Sequence, residues 1–415
     1  MANILVVDDE PGIREFLVEA LASDGHQLTE AASADAAVER LKHEEFDLLI
    51  TDLRMPGRLD GMDVVREARE SHPDTRVIVL TAHGSVSTAV DAMKLGAIDF
   101  LEKPMSGPTE LRTLVSRALS GVPDSGSQPI TDVNDYLSRQ LTRALGTDYR
   151  VEDLIGRGGY AAVFGVHDLA LDRALAAKVL LPEFASSEDT ADRFRREART
   201  MAKLSHPNIM PVLFVGRERE VPFFVMPRVQ GSSIAEMMAT KAPLDPKQVV
   251  RVVRDIAAAL DYAHGAGVIH RDVKPANILV DMATGRSVLT DFGISKAVVP
   301  DGVSAATVPG VFLGTPQYSA PEQIAGEHDV GPRADIYSFA VVVYEMIAGR
   351  VPFDATSASR IAAQQLFAPV PPLSRHAPRV SRKIDSVMAR ALAKHPGDRY
   401  ASASEFARAV ENVLA

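Results

Sequence analysis

Three groups of side chains in this sequence have the types and spacing to handle phosphate. The first is acidic: Asp8 and Asp9, then Asp52, with Thr81 and Lys103 further along. Carboxylates gathered without a cation repel one another, and Mg2+ is the hard, oxygen-seeking ion that relieves this. A carboxylate beside a metal, an ammonium and a hydroxyl can accept a phosphoryl group, because each neighbour neutralises or hydrogen-bonds one added oxygen. The second group is Gly156-Arg157-Gly158-Gly159-Tyr160-Ala161-Ala162-Val163, where glycines let the backbone close over phosphates. The third starts from Lys178. Lys178 sits inside an apolar run, where an ammonium is costly unless paired, and Glu197 on the next helix is its candidate partner.

The elements that must position these groups can be read from periodicity. Apolar runs at 3–7, 28–32, 47–51, 76–81 and 97–101 read as strands, alternating with amphipathic helices at 11–23, 34–43, 62–71, 86–95 and 107–119. Such βα repetition implies a doubly wound parallel sheet with its working crevice at the carboxyl ends of the strands. Asp8 and Asp9 end the first strand, Asp52 the third, Thr81 the fourth and Lys103 the fifth. Any one Asp there reads as a helix cap or turn former, but the set in this order reads as a site. Residues 121–135 are rich in Gly, Ser, Pro and Asp and read as a linker, followed by a short helix at 136–145. From 149 to 227 short strands (163–166, 175–180, 223–226) surround one strong helix at 189–204. Beyond Pro246 long helices dominate, at 249–266, 333–348 and 382–393, so the second part is an α+β arrangement of a small β lobe and a larger α lobe.

Composition narrows the function classes. At roughly 100–200 residues per domain, 415 residues make two or three domains. With no Cys, thiol nucleophiles, disulfides, Cys-ligated zinc and iron–sulfur clusters are excluded. The formal charge of −10 belongs wholly to residues 1–120, with 22 acidic against 12 basic side chains, while the remainder balances at 33 of each. Neither part has the basic segment of a nucleic-acid binder. No apolar run approaches the ~20 residues of a membrane span, and Asp8, Asp9 and Glu10 directly follow the first apolar run, unlike a secretion signal. A cytoplasmic protein without a membrane span is expected.

With the motifs assembled, residues 3–119 resemble a response-regulator receiver domain, of flavodoxin-like fold. The resemblance implies that Asp52 is the phosphoacceptor, that Asp8, Asp9 and Asp52, with the Arg54 carbonyl, hold Mg2+, and that Thr81 and Lys103 contact the phosphoryl group. The run from Met55 to Gly61 is one residue longer than that family's pattern, which enlarges a surface loop. Residues 149–410 resemble a bacterial eukaryotic-like serine/threonine protein kinase of bilobal fold. The motifs that carry this are His270-Arg271-Asp272-Val273-Lys274-Pro275-Ala276-Asn277, Asp291-Phe292-Gly293 and Ala320-Pro321-Glu322, with Asp335 and Arg399. On this resemblance the chain divides into a receiver at 1–120, a linker at 121–135 and a kinase domain at 136–415, with lobes at about 149–227 and 228–415.

The kinase resemblance implies roles residue by residue. ATP would lie under Gly156, Gly158, Gly159 and Val163, its α- and β-phosphates gripped by Lys178, which Glu197 steadies. The Pro227 carbonyl and the Val229 N–H would meet adenine, proline at 227 removing a donor that this contact does not need. Asn277 and Asp291 would coordinate Mg2+, Asp272 would take the proton of the attacking hydroxyl, and Lys274 would neutralise the transferred phosphate. The expected partners are a protein Ser/Thr substrate and, for Asp52, a histidine kinase or small phosphodonor; a homodimer is among the assemblies the sequence allows. The alternative is a receiver-switched scaffold that binds ATP without significant transfer. Arg271 before Asp272 implies control by a phosphorylated residue between Gly293 and Glu322, and Thr307 is the candidate. Mass spectrometry of the active protein should find phosphate on Thr307; active protein bearing none there would overturn the assignment.

Overall fold

The structure, a computed structural model, describes residues 2–82, 91–93, 95–103, 107–120, 133–185, 188–218, 221–292, 316–327 and 330–414. Thr307, most of the 86–95 helix and most of the 121–135 linker therefore lie outside the described residues. The chain divides into two compact units, one of residues 1–164, 179–188 and 217–221, the other of residues 165–178, 189–216 and 222–415.

In the first unit the strands are β1 (Asn3–Val7), β2 (Gln27–Ala31), β3 (Leu48–Asp52), β4 (Arg76–Ala82) and β5 (Asp99–Lys103). They form a sheet in the order β2-β1-β3-β4-β5, all pairs parallel. Strands β1 and β3 are central and buried on both faces, which is why their sequences are unbroken apolar runs rather than alternating ones. Alternate residues Ile4, Val6, Leu48, Ile50, Ile78 and Leu80 join Leu17, Leu21, Leu111 and Val115 in one core, so the helices Pro11–Ala22 and Pro108–Ser120 cover that face. The helices Ala34–Leu41 and Gly61–Ser71 pack on each other. Asp60 caps the second of these in a reciprocal box with Asp63. Glycine at 61 is a steric requirement, since a Cβ there would lie 1.9 Å from the Asp52 carbonyl oxygen. The longer 55–61 loop thus ends on a residue that lets the helix start close against β3.

The helix after the linker starts at Val133, three residues before the sequence pattern suggests, and packs on β6 (Tyr149–Arg157). Strands β6, β7 (Ala161–Asp168), β8 (Arg173–Leu180), β9 (Phe214–Glu218) and β10 (Val221–Pro227) make a sheet in the order β6-β7-β8-β10-β9. A small antiparallel sheet follows, of β11 (Gly231–Ser233), β12 (Ile278–Asp281) and β13 (Ser287–Leu289). The helical region is built around Arg333–Ala348, buried from Ala334 to Tyr344 on all sides and ended by Gly349 in the left-handed region at φ 70°. The helix Pro246–Gly265 is capped by Asp245, and its Asp261 carboxylate accepts from Ala403 and Ser404 N–H at the start of the helix Ala403–Leu414. Among the described residues no helix is long and apolar enough to cross a membrane.

One buried ion pair ties these helices together. Arg399, 2% exposed, makes a two-bond fork to Glu322 (2.7 and 2.8 Å) and donates to the carbonyls of Ala393, Arg333 and Lys394 at 2.8, 2.9 and 3.0 Å. All of its N–H donors are thereby satisfied, and its guanidinium also lies 4.8 Å from the Tyr337 ring centroid. Arg399→Ala strands the Glu322 carboxylate in the interior and should cost about 3–5 kcal/mol in urea unfolding. A loss below about 1 kcal/mol would mean the pair is replaceable packing.

Candidate functional site

The parallel register brings the acidic residues to one sheet edge. Asp52 pairs with Leu80, so Thr81 stands one residue beyond it on β4, and Lys103 pairs with Ala82. Asp8 follows β1, with its N–H donating to the Ala31 carbonyl. The result is a compact cluster in which Asp8, Asp9 and Asp52 each offer a carboxylate oxygen, all within 4.8 Å of one another. Lys103 Nζ lies 2.6 Å from Asp8 Oδ2, 2.7 Å from Asp52 Oδ2 and 3.7 Å from Glu10 Oε1. Burial pushes the Asp8 carboxyl up, and the bond from Lys103 only partly opposes this. Burial would lower the Lys103 ammonium, but its bonds to Asp52 and Asp8 hold it above its usual range. One ammonium among these carboxylates leaves net negative charge in a buried place, and an all-oxygen donor set of this spacing suits Mg2+. Asp8, Asp9 and Asp52 would hold the ion.

Sequence reasoning missed Arg14. Its Nη1 donates to the Asp8 carbonyl at 2.8 Å and the Asp9 carbonyl at 3.2 Å, while Nε lies 3.4 Å from Glu30. It fixes the backbone that presents both carboxylates. Its place on the first turns of the helix following the acidic pair was the available signal.

In the second unit the catalytic loop is organised by a carboxylate far away in sequence. Asp335, fully buried, accepts from His270 N–H at 2.8 Å and Arg271 N–H at 2.7 Å, with His264 Nε2 2.7 Å from the same carboxylate. Arg271 has φ 66°, an unfavourable conformation for a residue with a Cβ, and Gln323 Nε2 donates to its carbonyl at 2.9 Å. Both peptide groups of the strained residue are therefore held. His270 accepts from Asp272 N–H through Nδ1 at 3.2 Å, which leaves the proton on Nε2 to donate to the Thr290 carbonyl at 2.8 Å. The loop then delivers Asp272 to its neighbours: Lys274 Nζ is 2.7 Å and Asn277 Nδ2 3.2 Å from Asp272 Oδ2, and Asn277 Nδ2 also reaches the Asp272 carbonyl at 2.8 Å. Among the described residues no group donates to Asp272 Oδ1.

The β12–β13 pair sets the other residues. Ile278 pairs with Leu289, and Thr290 N–H donates to the Asn277 carbonyl at 2.9 Å, so Asn277 lies next to the strand that leads into Asp291. Asp291, at φ 65°, pairs with Lys178 Nζ at 2.7 Å. Burial would raise the Asp291 carboxyl, but Lys178, with His270 and Lys274, holds it below the usual carboxylate range. Lys178 is buried in β8. Glu197 falls in the helix Glu188–Met201, and its side chain lies outside the described residues. In the glycine run, Gly158 N–H donates to the Ala161 carbonyl at 2.8 Å and closes a tight turn, with Val163 on β7. Ala161, at the position of the third glycine, is buried. Pro227 ends β10, half-buried like Val229, and Arg228 N–H donates to the Ala174 carbonyl. His264 carries no signal in the sequence, where 71 residues separate it from the carboxylate it meets.

A parallel-sheet domain with a carboxylate cluster, joined to a chain with a strained, carboxylate-clamped catalytic loop, defines a kinase with a receiver. Comparison with known proteins agrees: residues 149–410 match the protein kinase domain family and residues 4–116 the response regulator receiver domain family. The chain belongs to the protein kinase family. It is 38% identical over 282 residues to serine/threonine-protein kinase pkn3 of Myxococcus xanthus, covering 66% of this chain and 51% of that protein. It is also 38% identical over 266 residues to serine/threonine-protein kinase PknB of Mycobacterium tuberculosis, covering 63% of this chain and 42% of that one. The chain thus spans about half the length of these curated relatives. The crystal structure of the Mycobacterium tuberculosis PknI kinase domain superposes with TM-score 0.52 at 32% identity, covering 65% of this chain and 97% of that domain.

Magnesium titrated calorimetrically without nucleotide should bind the full chain, and Asp9→Asn should weaken it about tenfold, ~1.4 kcal/mol. Equal affinity in the variant would remove the metal from the Asp8–Asp9–Asp52 cluster.

Proposed function

We propose that this chain is an ATP-dependent serine/threonine protein kinase whose N-terminal receiver is phosphorylated on Asp52 in a phosphorelay. The observation that carries the kinase reading is the state of Asp272. Lys274 and Asn277 both donate to Oδ2, and since no described residue donates to Oδ1, that is the oxygen for a substrate hydroxyl. In the reaction the hydroxyl oxygen bonds to the γ-phosphorus, the bond from that phosphorus to the β–γ bridging oxygen breaks, ADP leaves, and Asp272 accepts the proton. Lys274, 2.7 Å from Asp272, neutralises the phosphoryl group as it arrives. Lys178 grips the α- and β-phosphates, Gly156, Gly158, Gly159 and Val163 take part in ATP binding, and the Pro227 carbonyl and the Val229 N–H take adenine. Asn277 and Asp291 would hold Mg2+, which would supply charge neutralisation at the leaving group.

At the receiver, the Asp52 carboxylate takes a phosphoryl group from a histidine kinase or a small phosphodonor, with Lys103 and Thr81 holding the new oxygens. The low-dielectric setting of Asp52, 6% exposed, strengthens those contacts. Residues 121–135 serve as the linker between receiver and kinase, the substrate is a protein Ser or Thr, and the site of action is the cytoplasm. The relatives named as serine/threonine kinases support this reading for the residues they share.

With ATP, Mg2+ and a generic protein substrate, Asp272→Asn should lower kcat by about 10^2–10^4-fold. Turnover equal in the variant and the unaltered chain would overturn the assignment and favour an ATP-binding scaffold.

A further inference from the structure

The helix Val133–Leu145 has an inward face of Tyr136, Leu137, Gln140, Leu141 and Leu145, spaced at helical periodicity and all buried. It packs along β6, the edge strand of its sheet, whose own residues are largely exposed. An edge strand has few neighbours to fix it, and a helix laid along it supplies them. At the last residue of β6 is Arg157, within the glycine run, and its Nη1 donates to Asn134 Oδ1 at 2.8 Å. The first turn of the helix therefore holds the near end of the phosphate-binding loop. That turn is itself stiffened by Arg139, which reaches back one turn to both carboxylate oxygens of Asp135 at 3.1 Å. The far end of the loop is held by backbone, with Leu181 N–H donating to the Tyr160 carbonyl at 2.9 Å. Between these anchors a Cβ on Gly159 would meet nothing and one on Gly158 only the Ala161 carbonyl oxygen at 3.7 Å, so the loop has little packing of its own. Where it sits depends on its ends.

We infer that Asn134 is a positioning residue for ATP binding, acting through Arg157 on the glycine-rich loop; the inference rests on the ATP-dependent kinase reading above. A surface hydrogen bond of this kind changes an equilibrium only a few-fold, and it acts on a loop that contacts nucleotide in both ground and transition states. The effect therefore falls on KM for ATP rather than on kcat.

Steady-state kinetics on the full chain test it. Asn134→Ala should raise KM for ATP about threefold with kcat within about twofold of the unaltered chain. Asn134→Asp, which keeps an acceptor for the guanidinium, should restore KM. Arg157→Ala should raise KM for ATP at least as much as Asn134→Ala, and adding Asn134→Ala to it should raise KM no further. An unchanged KM in Asn134→Ala, an equal rise in Asn134→Asp, or additive effects in the double variant would overturn the inference. Absence of ATP turnover in the unaltered chain would overturn the kinase reading instead.

Discussion

A single buried carboxylate, Asp335, sets the geometry on which the catalytic loop depends. The left-handed backbone at Arg271 costs on the order of 1–3 kcal/mol and persists only where its surroundings impose it. Asp335 imposes it by accepting from two consecutive peptide N–H groups, and charge-assisted bonds of this kind contribute about 1.5–3 kcal/mol each. The carboxylate can occupy a dry position because His264 and those two N–H groups satisfy it. Released, the peptide of Arg271 would relax and carry Asp272 with it. Catalytic aim here is therefore a property of a helix far along the chain.

The buried charges of the molecule fall into two kinds. Arg399 with Glu322 is closed, every guanidinium N–H being answered by carboxylate or carbonyl, and nothing is left over to bind a ligand. Such a pair adds little net stability compared with apolar packing, yet removing one member is expensive. The Lys103 cluster is open, and the Lys178–Asp291 pair is only partly enclosed. In the first, one ammonium faces more carboxylates than it can neutralise, and Asp8 is pushed up by its burial. In the second, Lys178 meets Asp291, whose side chain is 22% exposed. Surplus negative charge marks the receiver cluster, where phosphate chemistry is expected, and finished electrostatics mark the scaffold.

Much of the fold and of both sites is legible in the residues themselves. The buried β1 and β3 announce themselves as apolar runs because both faces of a parallel sheet are covered, and the acidic residues stand out because nothing apolar would place Asp where those runs end. The Asp272, Lys274 and Asn277 set is readable through the motif resemblance, and because all three lie within one loop their closeness in sequence carries over to space. Harder to read are contacts made by ordinary residues. Arg14 looks like any surface arginine of a helix until its two carbonyl acceptors are seen. Glycine at 61 looks like loop punctuation until its approach to the Asp52 carbonyl is measured.

What sequence determined by itself was therefore chemistry and element type: which side chains can hold metal, accept phosphate or take a proton, and which segments form strands or helices. These follow from residue type and short-range periodicity. Tertiary structure alone decided the partners that no motif announces. It chose His264 for Asp335 over a separation of 71 residues, Asp261 for Ala403 over 142, and Asn134 for Arg157 over 23. The physical reason is that a hydrogen bond or ion pair is specified by distances of about 3 Å, whereas the local pattern of a chain constrains only neighbours within a turn or a strand.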